Sequence, residues 1–267
     1  MPSTYAHYKL GISVLDAIDS EYKKIIESHR QLFMIGLHGP DILFFYKPLR
    51  KNQVNRLGHA IHDKAGRVFF EEAARIIKIH PNEPEYLSYL YGVVCHFALD
   101  VSCHGYVGEK IQSSGASHTE IETEFDRSLI VADGLDPLRF MPTGHLVPSD
   151  DNSEVIEEFY PGVNSTQIRK GIKGLVNISN FFVTPSNPKR RAIYTAMKIA
   201  GAYQGVGGLV VNENPNPLCA DSNQELTKRL IKAKPLALAL IANLDNHIRS
   251  GEDLDKMFNF NFSSKLV

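Results

Sequence analysis

The chain has 267 residues, of which 43% are hydrophobic and 22% are charged, and its formal net charge is −1. This composition is typical of a globular protein with one large core or two small ones, and it excludes a disordered or strongly basic chain. A net charge so close to zero provides no long-range field that would attract nucleic acid or an anionic membrane surface.

The first half of the chain contains three predicted helical segments. Apolar residues recur at helical spacing over residues 12–33, which predicts a first helix that ends near Gly36. A turn over residues 38–41 follows, with the sequence His-Gly-Pro-Asp. Residues 68–79 form an amphipathic pattern, and residues 84–102 are apolar on all sides, as expected of a central buried helix.

The second half of the chain continues the helical pattern. Residues 118–131 are predicted to be a helix with Ser117 as its N-cap. Prolines and acidic residues dominate residues 134–162, which we interpret as a long surface loop. Helices are then predicted over residues 165–182, 188–202 and 223–249.

No internal repeat or linker divides the chain, so the pattern predicts an all-α protein, a single multi-helix bundle with one domain over residues 1–267. The C-terminal helices, within residues 165–250, would complete the same bundle. No segment reaches the roughly 18 apolar residues of a membrane span. The cysteines have no disulfide spacing, and the N-terminal residues show no signal peptide, so we expect a cytoplasmic location.

Five side chains of the kind that bind metals lie within a short stretch. His96, Asp100 and His104 follow each other at four-residue spacing, and His118 and Glu122 repeat that spacing. Residues four apart lie on one face of a helix, so two such helices facing each other would form a cage of imidazoles and carboxylates. Such mixed nitrogen and oxygen ligands suit zinc best, with iron and manganese as alternatives.

The spacing also predicts the number of metal ions. Eight helical residues rise about 12 Å and rotate by about 80°, so His96 and His104 are too far apart to share one ion. At least two ions are therefore expected, with Asp100 between them. An aspartate inside an apolar helix is costly unless it is paired or coordinated. Further ligands must come from elsewhere in the chain, and the candidates are His7, Asp41 and His62.

The remaining histidines divide into two groups. A lone histidine is more often an ordinary core or surface residue than a metal ligand, and we interpret four in this way: His29, His80, His145 and His247. Three other residues lie near the candidate ligands in the sequence and are candidates for holding those ligands in place or for lining the substrate pocket: His38, His59 and Asp63.

The order of the candidate ligands resembles that of the zinc-dependent phospholipase C family, whose fold is shared with secreted single-strand-specific nucleases. The family places a histidine near the N-terminus, then an aspartate and a lone histidine, then His-x3-Asp, another histidine and His-x3-Glu. The matching residues of this chain are His7, Asp41, His62, His96, Asp100, His104, His118 and Glu122, all within residues 1–125.

The resemblance implies an all-helical bundle of the phospholipase C and nuclease type that holds up to three zinc ions. The ligands of the first zinc would be Asp41, His62, His96 and Asp100. Those of the second would be His104, His118 and Glu122. His7 and Asp100 would contribute to a third.

Clustered divalent cations activate water for attack on phosphorus and neutralise charge in the transition state. We therefore expect a zinc-dependent hydrolase, similar to phospholipase C, that acts on a lipid or small-molecule phosphoester. Asp41 would be a catalytic residue as well as a ligand, because its carboxylate can orient or deprotonate the water.

Two other functions are compatible with the same residues. The first is a nuclease or nucleotidase of the same fold. The low net charge and the lack of basic clusters in the sequence argue against a stable nucleic-acid partner. The second is a non-catalytic helical protein in which bound metal contributes only to stability.

Overall fold

The computed structural model describes residues 4–267, and its described part is all-α, as predicted. Twelve α-helices are found in this part of the chain: α1 (Thr4–Leu15), α2 (Ser20–Ser28), α3 (Arg30–Gly36), α4 (Gln53–Asp63), α5 (Gly66–Ile79), α6 (Pro84–Ser114), α7 (His118–Ala132), α8 (Asp150–Glu157), α9 (Ser165–Phe182), α10 (Asn187–Ile199), α11 (Tyr203–Val206) and α12 (Ala220–Ser250). Short 3₁₀ helices are found at Gly39–Phe45, Gly207–Leu209, Pro217–Cys219 and Lys256–Asn259. None of the helices in residues 4–267 is long and apolar enough to span a membrane.

Helix α6 is the central element of the bundle. It has 31 residues, which corresponds to a length of about 46 Å. Every side chain over residues 88–100 is buried, because α1, α2, α3 and α12 pack around this segment. The helix continues well beyond the predicted end at residue 102 and stops at Gly115, whose φ of 72° is a common helix terminator.

The predicted single helix over residues 12–33 is wrong. The chain forms three short helices instead, and it turns between α1 and α2 and again at His29. Asp19 precedes α2 with an extended backbone, and His29 separates α2 from α3 with a φ of −130°. The apolar faces of consecutive helices on one core continue the same periodicity, so the pattern alone does not reveal the turns.

The interpretation of residues 134–162 as a surface loop is also wrong in part. This segment contains α8, for which Ser149 provides the N-cap by accepting a hydrogen bond from the backbone N–H of Asn152 at 3.2 Å. Ile156, Phe159 and Tyr160 are buried at 0 to 3% exposure. Two of the acidic residues that suggested a loop, Asp150 and Asp151, lie in the first turn of α8, where negative charge is favourable.

Two glycines allow α3 and α6 to approach each other closely. A Cβ atom on Gly36 would lie 2.3 Å from the carbonyl oxygen of Tyr89, and one on Gly92 would lie 2.3 Å from the carbonyl oxygen of Phe33. Both distances are below van der Waals contact, so only glycine fits at either position. The contact brings the chain that follows α3, residues 38–41, beside the middle of α6.

We predict that Gly92→Ala destabilises the protein by about 1–3 kcal/mol, because the added methyl group must push the α3 backbone away. Gly108→Ala is the matched control, since Gly108 lies in the same helix and a Cβ there meets nothing within 4 Å. This control should be neutral or stabilising by up to about 1 kcal/mol. Urea unfolding measures both variants, and equal stabilities would contradict the proposed backbone contact.

Candidate metal centre

The three donors of α6 lie on one face of the helix, and His96 and Asp100 are buried whereas His104 is partly buried. His96 is 0% exposed and Asp100 is 2% exposed. His96 Nε2 lies 3.2 Å from Asp100 Oδ2, and His104 Nε2 lies 3.7 Å from Asp100 Oδ1. Asp100 thus lies between the two imidazoles, as its position in the sequence predicts.

Four other elements bring the remaining candidates to this face. His7 comes from α1, Asp41 from the 3₁₀ helix Gly39–Phe45, and His62 from the last turn of α4. His118 and Glu122 come from the first two turns of α7. The eight candidates, which are spread over 116 residues of sequence, therefore converge in one region of the bundle.

The candidate ligands form three groups, and within each group the donor atoms lie within 4.8 Å of one another. In the first group, His62 Nε2 lies 2.9 Å from Asp41 Oδ1, and His96 Nε2 lies 3.9 Å from Asp41 Oδ2. This group agrees with the first predicted zinc site except that Asp100 is not among its members.

The second group consists of His104, His118 and Glu122, as predicted for the second zinc. Glu122 Oε1 lies 2.9 Å from His118 Nε2 and 3.4 Å from His104 Nε2. The side chain of His118 is 44% exposed, whereas that of Glu122 is 6% exposed. This group therefore lies at the boundary between the core and solvent.

The third group combines His7 and Asp100 with His96. His7 Nε2 lies 3.4 Å from Asp100 Oδ1, and the rings of His7 and His96 stack with centroids 4.4 Å apart. His96 belongs to the first group as well, and Asp100 contacts histidines on both sides. The two residues connect the groups into one continuous cluster.

Several buried donor atoms of this cluster make no well-aligned hydrogen bond among the described residues, although some of them lie 2.9 to 3.2 Å from one another. They are His7 Nδ1, Asp41 Oδ1, His62 Nε2, His96 Nε2, Asp100 Oδ2 and Glu122 Oε2. A buried polar atom without a partner is costly, and in native proteins such atoms commonly face a ligand or an ion. The donor set fits a divalent cation that accepts nitrogen and oxygen ligands.

Backbone carbonyls determine how three of the imidazoles present their nitrogens. The Nδ1 atoms of His62, His96 and His104 lie 2.7, 3.2 and 2.6 Å from the carbonyl oxygens of Gly58, Leu37 and Phe262. When Nδ1–H donates to such a carbonyl, the lone pair is on Nε2, and in each of these residues Nε2 faces the cluster. Backbone carbonyls outside the cluster therefore orient these side chains so that Nε2 can coordinate a metal ion.

The electrostatics of the cluster favour positive charge. Burial raises the pKa of Asp100, but the imidazoles of His104 and His96 outweigh this effect and hold the pKa well below its ordinary value. Burial lowers the pKa of His104, but the carboxylates of Asp100 and Glu122 outweigh it and raise the pKa to about 10. The carboxylates are thus ionised, and their negative charge must be balanced either by protonated histidines or by bound metal ions.

Helix α7 is anchored in a way that fixes the second group. The side chain of Ser117 caps the backbone N–H of Glu120, and Glu120 returns a bond to the N–H of Ser117, which confirms the predicted N-cap. One turn beyond Glu122, Asp126 accepts hydrogen bonds of 2.9 Å from the N–H groups of Tyr5 and Ala6. Asp126 thereby holds the first turn of α1, which carries His7.

The turn before Asp41 requires glycine for two reasons. Gly39 has a φ of 44°, a conformation that other residues rarely adopt. A Cβ at this position would also lie 2.6 Å from His96 Cδ2. Gly39 therefore lets the backbone pass close to the His96 ring two residues before Asp41.

The three residues that were candidates for holding the ligands or lining the pocket, His38, His59 and Asp63, lie in different parts of the site. His59 and Asp63 are exposed and line a groove beside the cluster, and their role as substrate-pocket residues stays a prediction. His38 is buried but belongs to none of the three donor groups, and its Nε2 lies 2.8 Å from Nε2 of His145. Burial lowers the pKa of His145 to about 4, which keeps this histidine neutral.

Two features of the site were missed by the sequence analysis. The pairing of His145 with His38 joins residues 107 positions apart, so no local pattern could reveal it. The second feature is the chain around Phe262, whose carbonyl contacts His104 and whose ring lies 5.1 Å from that of His62. Ser264 Oγ donates to the carbonyl oxygens of Asp100 and Val101 at 2.9 Å and so fastens this segment to α6.

The groove beside the cluster has a volume of about 950 Å³, and His62, His104 and His118 are part of its lining. Four basic residues surround it without an ion-pair partner among the described residues: Arg50, Lys51, Arg56 and Lys265. Asp63 is the acidic residue of the lining. The expectation of no basic cluster is wrong here, since Arg50, Lys51 and Arg56 lie within seven residues of one another in the sequence and Lys265 joins them in the fold.

Comparison with known proteins gives one match. A family model described as zinc-dependent phospholipase C matches residues 6–170, a segment that includes all eight candidate ligands. No curated protein and no solved structure matches the chain.

We predict that Gly39→Ala lowers both the stability and the metal content of the protein, because the new methyl group collides with the ring of His96. Gly201→Ala is the matched control, since Gly201 also has a positive φ, of 66°, but a Cβ there meets nothing within 4 Å. The control should lose about 1–2 kcal/mol of stability, because alanine at a positive φ introduces backbone strain, and it should keep its metal content. Unfolding curves and metal analysis after dialysis measure both effects, and a Gly39→Ala variant with the full metal content would contradict the role of Gly39.

Proposed function

The chain belongs to the zinc-dependent phospholipase C family, and from this membership we propose that it is a zinc-dependent hydrolase that cleaves a phospholipid on the glycerol side of its phosphate. The observation that carries the proposal is the convergence of eight nitrogen and oxygen donors into three connected groups, with buried donor atoms that make no well-aligned hydrogen bond among the described residues. We assign His7, Asp41, His62, His96, Asp100, His104, His118 and Glu122 as the zinc ligands.

The three groups support two zinc ions, with a third as the upper limit. The groups around Asp41 and Glu122 share no residue, so they can be occupied independently. The group of His7 and Asp100 shares His96 with the first and is the candidate for the third ion. When bound, clustered zinc ions polarise a phosphoryl oxygen and supply an activated water at neutral pH.

The residues of the chain provide positioning and access. The groove admits substrate to His62, His104 and His118, of which His118 is the most exposed. Asp41 is 4% exposed, and the neighbouring His96 and His62 outweigh its burial and lower its pKa. Its carboxylate therefore stays ionised, which favours orientation of the attacking water over storage of a proton.

The basic residues around the groove support an anionic substrate. A phosphodiester group carries one negative charge, and the four cations would attract it toward the cluster in a protein whose net charge is only −1. Both a lipid headgroup and a small soluble phosphodiester meet this requirement. The proposal commits to the lipid because of the family, and soluble phosphodiesters serve as probes.

We predict that the purified protein contains at least two zinc ions per chain and hydrolyses bis(p-nitrophenyl) phosphate. His104→Ala should remove a ligand of the second group and lower both the zinc content and the rate, the rate by about 100-fold or more. His247→Ala is the matched control, because His247 bonds the Glu252 carbonyl and belongs to no donor group. Metal analysis and the release of nitrophenolate measure the outcome.

Bound zinc without turnover of any phosphoester would contradict the proposed activity and favour the non-catalytic, metal-stabilised alternative. Full activity in the His104→Ala variant would contradict the ligand assignment itself.

A nuclease or nucleotidase is the second candidate, and the basic edge of the groove is the observation that favours it. Arg50 and Lys51 precede α4, Arg56 lies in its first turn, and Lys265 is the fourth cation of the lining. A single strand bound along this edge would gain from each phosphate contact.

The two candidates predict different effects of Arg56→Gln. For a lipid enzyme, kcat/KM on dihexanoyl phosphatidylcholine should exceed that on a single-stranded oligonucleotide, and Arg56→Gln should change it by less than about twofold. For a nuclease, the variant should weaken oligonucleotide binding and reduce the slope of log affinity against log salt by about 0.7. Lys78→Gln is the matched control, since Lys78 is exposed on α5 and does not line the groove.

A further inference from the structure

A second cavity lies beside the groove and is lined mainly by apolar side chains. Its volume is about 270 Å³. The apolar lining comes from separate parts of the chain and includes Phe45, Ile130, Phe140, Phe182 and Leu209. Such a concave apolar site with a few polar groups is the usual form of a small-ligand pocket.

The pocket and the groove are neighbours along two segments of the chain. Thr119, in the first turn of α7, lines both of them. Phe45 lines the pocket, whereas the adjacent Phe44 lines the groove. A molecule whose phosphate lies beside His118 can therefore reach the pocket past Thr119.

The charged residues of the pocket are already engaged within the protein. Asp126 accepts hydrogen bonds from the N–H groups of Tyr5 and Ala6. Arg127 donates from Nε to Glu124 Oε1 at 2.9 Å. Neither charge is available to a ligand in the way that a free carboxylate or guanidinium would be.

Thr123 differs from these residues. Its side chain is 7% exposed, and its hydroxyl has no hydrogen-bond partner among the described residues. It lines the pocket one helical turn beyond Thr119. A buried hydroxyl without a partner is unfavourable in an apolar site unless a ligand supplies one, for example a carbonyl oxygen.

Exposed apolar side chains also lie next to the lining residues. Met141 is 47% exposed and stands between Phe140 and Pro142, both of which line the pocket. Phe181 is 54% exposed and directly precedes Phe182. Such side chains are suited to contact with the apolar part of a lipid.

We propose that this pocket binds one acyl chain of a phospholipid whose phosphate lies in the groove, with the Thr123 hydroxyl donating to the ester carbonyl of that chain. The inference rests on the proposed lipid hydrolase function and specifies how the enzyme recognises its substrate.

The direct test is calorimetric titration of the full chain with dihexanoylglycerol, which has acyl esters but no phosphate and so reports on the pocket independently of hydrolysis. Two substitutions fill the pocket from different segments, Ser179→Phe on α9 and Val211→Phe after the 3₁₀ helix Gly207–Leu209. Asn177→Phe is the matched control, because it adds the same ring to α9 at an exposed position outside the pocket.

We expect the wild type and Asn177→Phe to bind dihexanoylglycerol alike, with a negative heat-capacity change. Ser179→Phe and Val211→Phe should bind at least tenfold more weakly, since each methylene excluded from the pocket costs about fourfold in affinity. Equal binding by all four proteins, or no binding by the wild type, would overturn the proposal. Because the two pocket-filling substitutions lie on different elements, misfolding of one variant would leave the other as a valid test.

A kinetic series then connects the pocket to the reaction. For the wild type, kcat/KM should rise by about fourfold for each methylene added to the acyl chain in the pocket, from dibutanoyl to dihexanoyl phosphatidylcholine. For Ser179→Phe, kcat/KM should not change with acyl-chain length. The same dependence in both proteins would overturn the proposal. Bis(p-nitrophenyl) phosphate, which has no acyl chain, reports on the metal centre alone. Absence of turnover on every phosphoester, together with normal dihexanoylglycerol binding, would refute the hydrolase function but leave the acyl pocket intact.

Discussion

The carboxylate of Asp100 is the constraint on which the structure depends. It lies in the most buried segment of the central helix, where an uncompensated charge would be very costly. Three imidazoles, those of His7, His96 and His104, lie within 3.2 to 3.7 Å of it and supply the compensation. Since His96 and His104 lie on α6 itself and His7 on α1 adds the third contact, the packing of α1 onto α6 completes the surroundings of Asp100. Metal binding at this cluster is therefore coupled to folding, because the ligands exist as a set only in the packed bundle.

The local part of the site could be predicted from the sequence, and the tertiary part could not. Helical spacing alone relates His96, Asp100 and His104, because side-chain direction follows from the position along a helix. The convergence of His7, Asp41 and His62 has no local signal and was expected only from the resemblance to the family. The Phe262 carbonyl and the pairing of His145 with His38 depend on which distant backbone passes nearby, and apolar periodicity carries no such information. The same limit explains why one predicted helix over residues 12–33 proved to be three.

Two parts of the chain contribute differently to the proposed enzyme. The segment that matches the family, residues 6–170, supplies all the candidate ligands. Most of the groove lining lies in the same segment, and Ser263 and Lys265 are its residues beyond residue 170. The apolar pocket is lined from both parts of the chain, and the part beyond residue 170 includes Phe182 and Leu209. The candidate ligands and the groove are thus associated mainly with the matched segment, whereas the apolar pocket also depends on the chain beyond it. A metal cage by itself does not define a substrate, and the walls around it provide that selectivity.

The hydrogen bond between His104 and the Phe262 carbonyl joins residues 158 positions apart. On the ribosome, α6 and α7 emerge long before residue 262 is added to the chain. Until then His104 lacks the acceptor that fixes its ring, so the cluster on a nascent chain remains incomplete. Under the proposed zinc assignment, the ions would therefore be held in their final geometry only once synthesis has passed this residue, and a truncated translation product would carry the donors of the centre without the orientation that this carbonyl gives to His104.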